Sequence, residues 1–215
     1  MKNALAILVS VVASMSTASE DIADQYPQSE LYSKPVEVIP HVFSAIGATA
    51  PPTYENSGHN NNLSFVVTDD GVVVVNGGAS ARLAAALHQE IQAVTDQPVK
   101  LVVNENGQGH AMLGNSYWAD LGVDIIAHEE AIEEIEHNGD FILQGMQRYN
   151  RDKAEGTRVV PANISFSDSY TYELGGVTFE ILHLGPAHGP GDTQVDSKQD
   201  PRKLVHPVRP FQAGH

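Results

Sequence analysis

Strand and helix patterns alternate through the centre of this 215-residue chain, and the alternation limits its fold more than any other feature. The stretch VVTDDGVVVVNGG places Asp70-Gly71 between two β-branched runs, which is typical of a β-hairpin. From Ser80 to Val94 the apolar residues recur every three or four positions, as in an amphipathic helix, and VKLVV follows as another strand. This order predicts a layered α/β domain.

Further patterns extend this order on both sides. VEVIPHVFSAIG alternates like a strand interrupted at Pro40, and DSYTYELGGVTFEILHLG predicts a second hairpin around Gly175-Gly176. Between them we expect, in chain order, a helix over 111–121, a strand VDIIAH, and helices over 129–137 and 141–151. The chain is long enough to build one domain with a sizeable core.

Composition divides the chain into four segments. Residues 1–18 carry Lys2 before an apolar run and end in small residues, which predicts a cleaved secretory signal and an exported, periplasmic or secreted protein. Residues 19–35 are polar and predict a loose N-terminal leader, and residues 36–195 hold the domain. Residues 196–215 turn basic and lack a regular period, so we predict an irregular tail, either native or produced by a frameshift near its start.

Charge and cysteine content exclude several classes of function. The formal net charge of -15 repels phosphate backbones and anionic headgroups, so we expect neither nucleic acid nor, after signal removal, a membrane as partner. The chain has no cysteine, which excludes disulfides and thiolate ligands. A small molecule is the expected substrate or ligand, and the oligomeric state is left open.

Two polar loops follow predicted strands. The first, Asn104 to His110, comes after KLVV, and the second, Pro186 to Thr193, comes after FEILHLG. Ligands bind at the carboxyl ends of strands in open α/β arrangements, so both loops are candidate sites. Their candidate residues are Asn104, Glu105, Asn106, Gln108, His110, His188 and Asp192.

From Val36 to Thr193 the chain resembles the metallo-β-lactamase superfamily. The resemblance rests on the VVTDDGVVVVNGG hairpin, the amphipathic helix, the loop followed by MLGN, and the segment GPAHGPGDT, which is the most specific of the four. It implies an αββα sandwich. We expect the sandwich to be incomplete in its C-terminal half, because the last two metal ligands of the family have no counterpart that we can place.

The first-loop metal motif departs from the family pattern His-x-His-x-Asp-His. Aligned on the shared glycines and on LGN, Asn106 and Gln108 stand at the first two histidines, His110 at the aspartate and Ala111 at the last histidine. In the second loop, His188 matches a zinc ligand of the family.

The resemblance implies zinc as the cofactor, held by His110, His188 and Gln108. A zinc hydrolase site needs about three protein ligands and an open position for water. Glu105, Asn106, Asp192 and Asn76 are predicted to support the metal site or to bind a ligand. Asn76 occupies the position of the acidic residue that usually braces the first loop in the family. For Asn106 and Gln108, bracing of the loop without a metal is favoured over metal binding, because amides can replace the hydrogen bonds of imidazoles.

By resemblance the chain is an exported zinc-dependent hydrolase of an ester, thioester, amide or lactam, with a metal-bound hydroxide as nucleophile and a rewired site. Two alternatives stay open. One is a non-catalytic protein that binds a small polar ligand on the same fold, and the other is an inactive truncated product. Zinc content separates the hydrolase from the binding protein.

Overall fold

The computed structural model describes residues 25–199. The predicted signal, residues 1–18, lies outside the described residues, as does the tail from residue 200 onward. Within the described part, no helix is both long and apolar enough to cross a membrane.

A seven-stranded sheet lies at the centre, with its strands in chain order from β1 to β7. The strands are β1 (Val36–Ile39), β2 (Val42–Ala45), β3 (Leu63–Val67), β4 (Val72–Val75), β5 (Val99–Val103), β6 (Asp124–His128) and β7 (Ile164–Phe166). Neighbours from β1 to β4 are antiparallel, and neighbours from β4 to β7 are parallel. The hairpin predicted at Asp70-Gly71 is confirmed by the β3–β4 pairing, whereas β7 was not predicted.

Helices cover one face of this sheet. They are α1 (Ala81–Val94), α2 (Gly109–Met112), α3 (Asn115–Asp120) and α4 (Glu129–Asn150), followed by a short 3-10 helix (Arg151–Ala154). The amphipathic helix predicted from Ser80 is confirmed. Ser80 caps it, its Oγ accepting the Leu83 N–H at 3.1 Å, and the apolar side of the helix is buried in the first core cluster.

A three-stranded antiparallel sheet packs on the opposite face. Its strands are β8 (Ser169–Leu174), β9 (Val177–Leu182) and β10 (Gln194–Gln199), in the order β10-β9-β8. Alternate residues of β9, from Val177 through Phe179 to Ile181, are buried against the inner face of the large sheet. The described residues thus form three layers, helices, sheet and sheet, which agrees with an αββα sandwich that is incomplete in its C-terminal half.

Two predicted helix boundaries were wrong. The helix expected over 111–121 is divided into α2 and α3, because Gly114 lies so close to β4 that a Cβ there would sit 1.9 Å from the Gly77 carbonyl oxygen. The helices expected over 129–137 and 141–151 are one helix, α4. Gly139 lies inside α4. A Cβ at this position would lie 2.6 Å from Cγ1 of Val159, so the glycine makes room for that side chain.

The predicted loose leader over 19–35 was wrong for its described part. Leu31 is fully buried in the first core cluster, and Tyr32 is 3% exposed. The Tyr32 N–H donates to Nδ1 of His59 at 2.9 Å, and burial lowers the pKa of His59 to about 4, so this imidazole is a neutral acceptor at pH 7. One core leucine in a polar stretch creates no periodic pattern, which is why composition suggested a leader.

The predicted start of the irregular tail, residue 196, was also wrong. β10 continues to residue 199 and pairs in antiparallel register with β9. Val195 packs against the core between the sheets, and Lys198 forms an ion pair with Glu180. The prediction failed because β10 has too few apolar residues to alternate visibly.

Replacing Leu31 by alanine is expected to destabilise the domain by about 2 to 5 kcal/mol, since it leaves a cavity in the core. Val36→Ala, on the edge strand β1 where Val36 is 52% exposed, is the control and should cost less than about 0.5 kcal/mol. Urea unfolding followed by fluorescence of Trp118, the single tryptophan, measures both. Equal effects of the two variants would mean that the segment before β1 does not belong to the core.

Candidate functional site

The two predicted loops meet at the ends of strands from different sheets. The loop after β5 begins at Asn104, and the loop after β9 ends at Thr193. The Thr193 N–H donates to the Glu105 carbonyl at 2.7 Å, and Nδ2 of Asn106 donates to Oδ1 of Asp192 at 3.3 Å. These two hydrogen bonds join the loops into one strand-end site, defined here as residues 104–110 and 186–193 with Asn76.

Asn76 connects the end of β4 to this site. Its backbone has a φ of 73°, a left-handed conformation that asparagine adopts more readily than most residues. Its Oδ1 accepts the Glu105 N–H at 3.2 Å, and its Nδ2 donates to the Asn62 carbonyl at 3.3 Å. Asn76 therefore supports the start of the first loop.

A pair of buried asparagines fixes the other end of the first loop. Asn104 and Asn115 are both fully buried, and each donates its side-chain amide to the oxygen of the other, at 3.0 and 2.8 Å. Asn104 also donates to the Ala111 carbonyl at 2.8 Å. Asn115 was not among the predicted site residues, although it ends the segment MLGN on which the family resemblance partly rests.

Asn106, at the family's first histidine, is committed to the loops themselves. It is 3% exposed; its Oδ1 accepts the Gln108 N–H at 3.0 Å while its Nδ2 reaches Asp192. Its oxygen and nitrogen therefore both have protein partners. A metal ion at this side chain would have to displace one of them.

Asp192 organises the second loop. Its Oδ2 accepts the backbone N–H groups of Ala187 at 2.7 Å, of His188, and of Gly189 at 3.0 Å. Burial raises the pKa of the Asp192 carboxyl, but these amides and Asn106 outweigh burial, so its pKa lies below its ordinary value. The carboxylate therefore stays charged and holds the backbone at His188.

The Glu105 carboxylate lies against the His110 imidazole in the first loop. Oε1 of Glu105 lies 3.4 Å from Nε2 of His110, and the two side chains are 36% and 23% exposed. Burial raises the pKa of Glu105, but hydrogen bonds with His110 and Asn76 outweigh it, and the pKa is lowered. Glu105 is thus a carboxylate at neutral pH.

Gln108 and His188 have uncommitted side chains. Within residues 25–199, no hydrogen bond reaches the amide of Gln108 or the imidazole of His188, and His188 is exposed. Gln108 is joined to its surroundings through its backbone N–H and carbonyl, and His188 through its backbone N–H. The two predicted loops are thus joined by hydrogen bonds, but within residues 25–199 the side chains of His110, Glu105 and His188 do not form a compact metal-binding group.

One compact group of three metal-binding side chains does occur within residues 25–199, and the sequence analysis did not select it. It consists of His128, Glu130 and His183. His128 ends β6 and His183 follows β9, so the rule that located the two loops, polar residues at the carboxyl ends of strands, also points to these histidines.

The first turns of α4 cover the site from one side. A Cβ on Gly191 would lie 2.4 Å from the Ala131 nitrogen, and a Cβ on Gly107 would lie 2.7 Å from Oε2 of Glu134. Within the described part of the chain, this Glu134 oxygen is buried and has no hydrogen-bond partner. An unpartnered buried acceptor is costly, so the position favours a ligand that donates a hydrogen bond.

Solved structures resemble the chain in fold. A metallo-beta-lactamase from Pontibacter korlensis matches with a TM-score of 0.57 at 17% identity, covering 75% of this chain and 65% of that one. A metallo-beta-lactamase from Cronobacter sakazakii with a HARLDQ motif matches with a TM-score of 0.55 at 19% identity, covering 77% and 55%. The sec-alkylsulfatase Pisa1 from a Pseudomonas species matches with a TM-score of 0.55 at 17% identity, covering 76% and 29%.

Comparisons of the sequence with protein families and with individual proteins give less support than the structural matches. No family model matches the chain. A probable tRNA pseudouridine synthase B from Thermoplasma volcanium is 26% identical over 165 residues, which span 67% of this chain and 47% of that protein. That identity is too low to assign a family, and the net charge of -15 does not favour RNA binding.

The layers, strand order and structural matches define a protein of the metallo-β-lactamase fold, as the sequence resemblance implied. The chain spans 65% or less of the length of the three solved structures above.

The donors present do not match the first-loop motif His-x-His-x-Asp-His of the superfamily. Asn106 is occupied by Gln108 and Asp192, and buried Ala111 supplies no ligand. Within residues 25–199, the donors left for a single ion are Nδ1 of His110, the His188 imidazole and the Gln108 amide, none of which has a hydrogen-bond partner. Amides are weak zinc ligands, so this set favours weak binding.

Asn106→Asp is expected to destabilise the fold by about 1 to 3 kcal/mol at pH 7, because it turns a donor to Asp192 into a second carboxylate. The loss should diminish as the pH falls toward about 4, where one proton can be shared by the two acids. Asn138→Asp, at an exposed position of α4, adds the same charge as a control. Urea unfolding at several pH values measures both, and equal losses for the two variants would contradict the bracing role.

Asp192→Asn tests whether the negative charge of Asp192 stabilises the backbone of residues 187–189. Because the folded pKa of Asp192 is lowered, its carboxylate contributes stability that is complete above the unfolded value of 3.8 and is lost as the pH falls through the folded pKa. The difference in unfolding free energy between wild type and Asp192→Asn should thus be largest near neutral pH and shrink at acid pH. Asp140→Asn, at an exposed position, controls for the loss of one charge. A difference that does not change with pH would refute this role.

Proposed function

We propose that the strand-end site makes this chain a metallo-hydrolase-like protein that uses one weakly held zinc ion, bound by His110, His188 and Gln108. The proposal rests on the difference between site residues whose side chains are hydrogen-bonded within the loops and those whose side chains keep free donor atoms. Asn76, Asn106 and Asp192 are committed to bracing the loops, whereas the three proposed ligands keep donor atoms available.

The protein's own residues support this assignment chemically. Glu105 lies against His110 and is charged at neutral pH, so it can orient the imidazole and increase its basicity as carboxylate partners of metal-binding histidines do. The Asp192 carboxylate accepts the backbone N–H of His188 and so fixes the position of that residue. Bound zinc would supply Lewis acidity and water activation near neutral pH.

The substrate class is proposed from the resemblance to the metallo-β-lactamase superfamily alone. By that resemblance, an ester, thioester, amide or lactam is the proposed substrate. Export to the periplasm or medium is proposed from residues 1–18. Neither nucleic acid nor a membrane is a proposed partner, because of the charge of -15.

A second candidate function is binding of a small polar ligand without catalysis. It is favoured by the hydrogen bonds from Asn106 to Asp192 and from Thr193 to Glu105, which hold the loops together without an ion. It is also favoured by the buried Glu134 oxygen, which can accept a hydrogen bond from such a ligand.

Zinc binding distinguishes the two functions. Metal-free full-length protein, dialysed against excess zinc, should retain about one equivalent at the strand-end site, and His110→Ala or His188→Ala should weaken that binding by about 10-fold or more. His137→Ala removes an exposed histidine of α4 and should leave it unchanged. Turnover of chromogenic lactam, ester and thioester substrates should fall in the same two variants.

Uptake of less than about a tenth of an equivalent would eliminate the hydrolase. The same holds if zinc uptake is equal in wild type, His110→Ala and His188→Ala, because the ion would then lie elsewhere. In either case ligand binding without metal becomes the function to pursue.

A further inference from the structure

Two imidazoles and a carboxylate come together beside the strand-end site, at residues without a role in the proposed hydrolase. His128 ends β6, Glu130 lies in the first turn of α4, and His183 follows β9. One ligand atom from each lies within 4.8 Å of the other two. The three residues thus bring together parts of both sheets and the start of α4.

Backbone carbonyls fix the tautomers of both imidazoles. Nε2 of His128 lies 2.6 Å from the Ser167 carbonyl oxygen, and Nδ1 of His183 lies 2.9 Å from the Asp192 carbonyl oxygen. A carbonyl only accepts, so both of these nitrogens carry the hydrogen. The other nitrogen of His183 presents a lone pair, whereas the lone pair on Nδ1 of His128 accepts the Glu130 N–H. Histidines that bind metals are oriented in this manner by an outer partner.

An ion bound to this group would take the place of one existing hydrogen bond, that between the Glu130 N–H and His128. Nδ1 of His128 accepts the Glu130 N–H at 3.2 Å and lies 3.8 Å from Oε2 of Glu130. The Glu130 side chain is 50% exposed, so it can swing toward the imidazoles. The two rings are stacked with centroids 3.9 Å apart, and the lone pair of an imidazole lies in its ring plane, so bonds of about 2 Å to one ion require one ring to rotate.

We propose that His128, Glu130 and His183 bind a divalent transition-metal ion such as Zn²⁺. Two imidazoles with one carboxylate suit zinc, cobalt, nickel or copper better than the oxygen-preferring magnesium or calcium. The ion would fix the base of the second loop, because His183 holds the Asp192 carbonyl and the Asp192 carboxylate holds the His188 backbone. This site does not depend on metal binding by His110 and His188.

Glu130→Gln gives the sharpest test, because the changed side chain is half-exposed and the substitution leaves the backbone N–H of residue 130 in place. In full-length protein, calorimetry with Zn²⁺ should show binding at this site weakened by about 10-fold to 100-fold. Glu129→Gln removes the same charge from the adjacent exposed residue and should bind like wild type. Any other metal site in the chain is common to both variants, so it cancels in the comparison.

A spectroscopic measurement identifies the ligands. Electron spin-echo spectra of one equivalent of Cu²⁺ on wild type should show two coordinated imidazoles, and His183→Phe, which keeps an aromatic ring against His128, should show one. The proposal is overturned if Glu130→Gln and Glu129→Gln bind Zn²⁺ equally. It is also overturned if all bound zinc is lost in His110→Ala or His188→Ala, since the ion would then belong to the strand-end site.

Discussion

The hydrogen bond between Asn106 and Asp192 is the interaction on which the strand-end site depends. It joins two loops whose residues are 86 positions apart in the chain and which follow strands of different sheets. Asp192 then orders residues 187–189 through their backbone amides, so the position of His188 depends on the same carboxylate. A neutral amide opposite a partly buried carboxylate is stable without a counterion, whereas a second acid would require a proton or a metal ion. The amide at residue 106 therefore makes the loop junction independent of any ion.

The sequence indicated those parts of the fold that have a strong period or strong turn chemistry. The β-branched strands around Asp70-Gly71 and the helix from Ser80 belong to this group, and the meeting of the two loops followed from their positions after strands. Leu31, β10 and the length of α4 were missed for different reasons: a single buried leucine has no period, β10 is mostly polar, and Gly139 is a packing position within a helix. A local sequence pattern does not show which residues of distant segments a side chain contacts in the fold.

The same distinction applies to the candidate site. Residue types and spacing identified His110, His188 and the surrounding amides, but not which amides would be used as braces and which side chains would stay available. The pairing of His128 with His183 was beyond sequence reasoning, because it depends on how the end of β6 in one sheet lies against the end of β9 in the other. Contacts between layers are the part of a sandwich that a linear pattern describes least.

Helix α4 connects these features physically. Its first turn carries Glu130, and its next turns lie against Gly107 of the first loop and Gly191 of the second. A side chain on either glycine would collide with α4, so the helix and the loops can approach only because both positions lack a Cβ. An ion on Glu130 and His183 would tie the start of α4 to the base of the second loop, and the same helix presents the buried Glu134 oxygen to the site. An ion bound by His128, Glu130 and His183 would thus reduce the mobility of the loop that carries His188. Helix α4 would couple this ion site to the strand-end site.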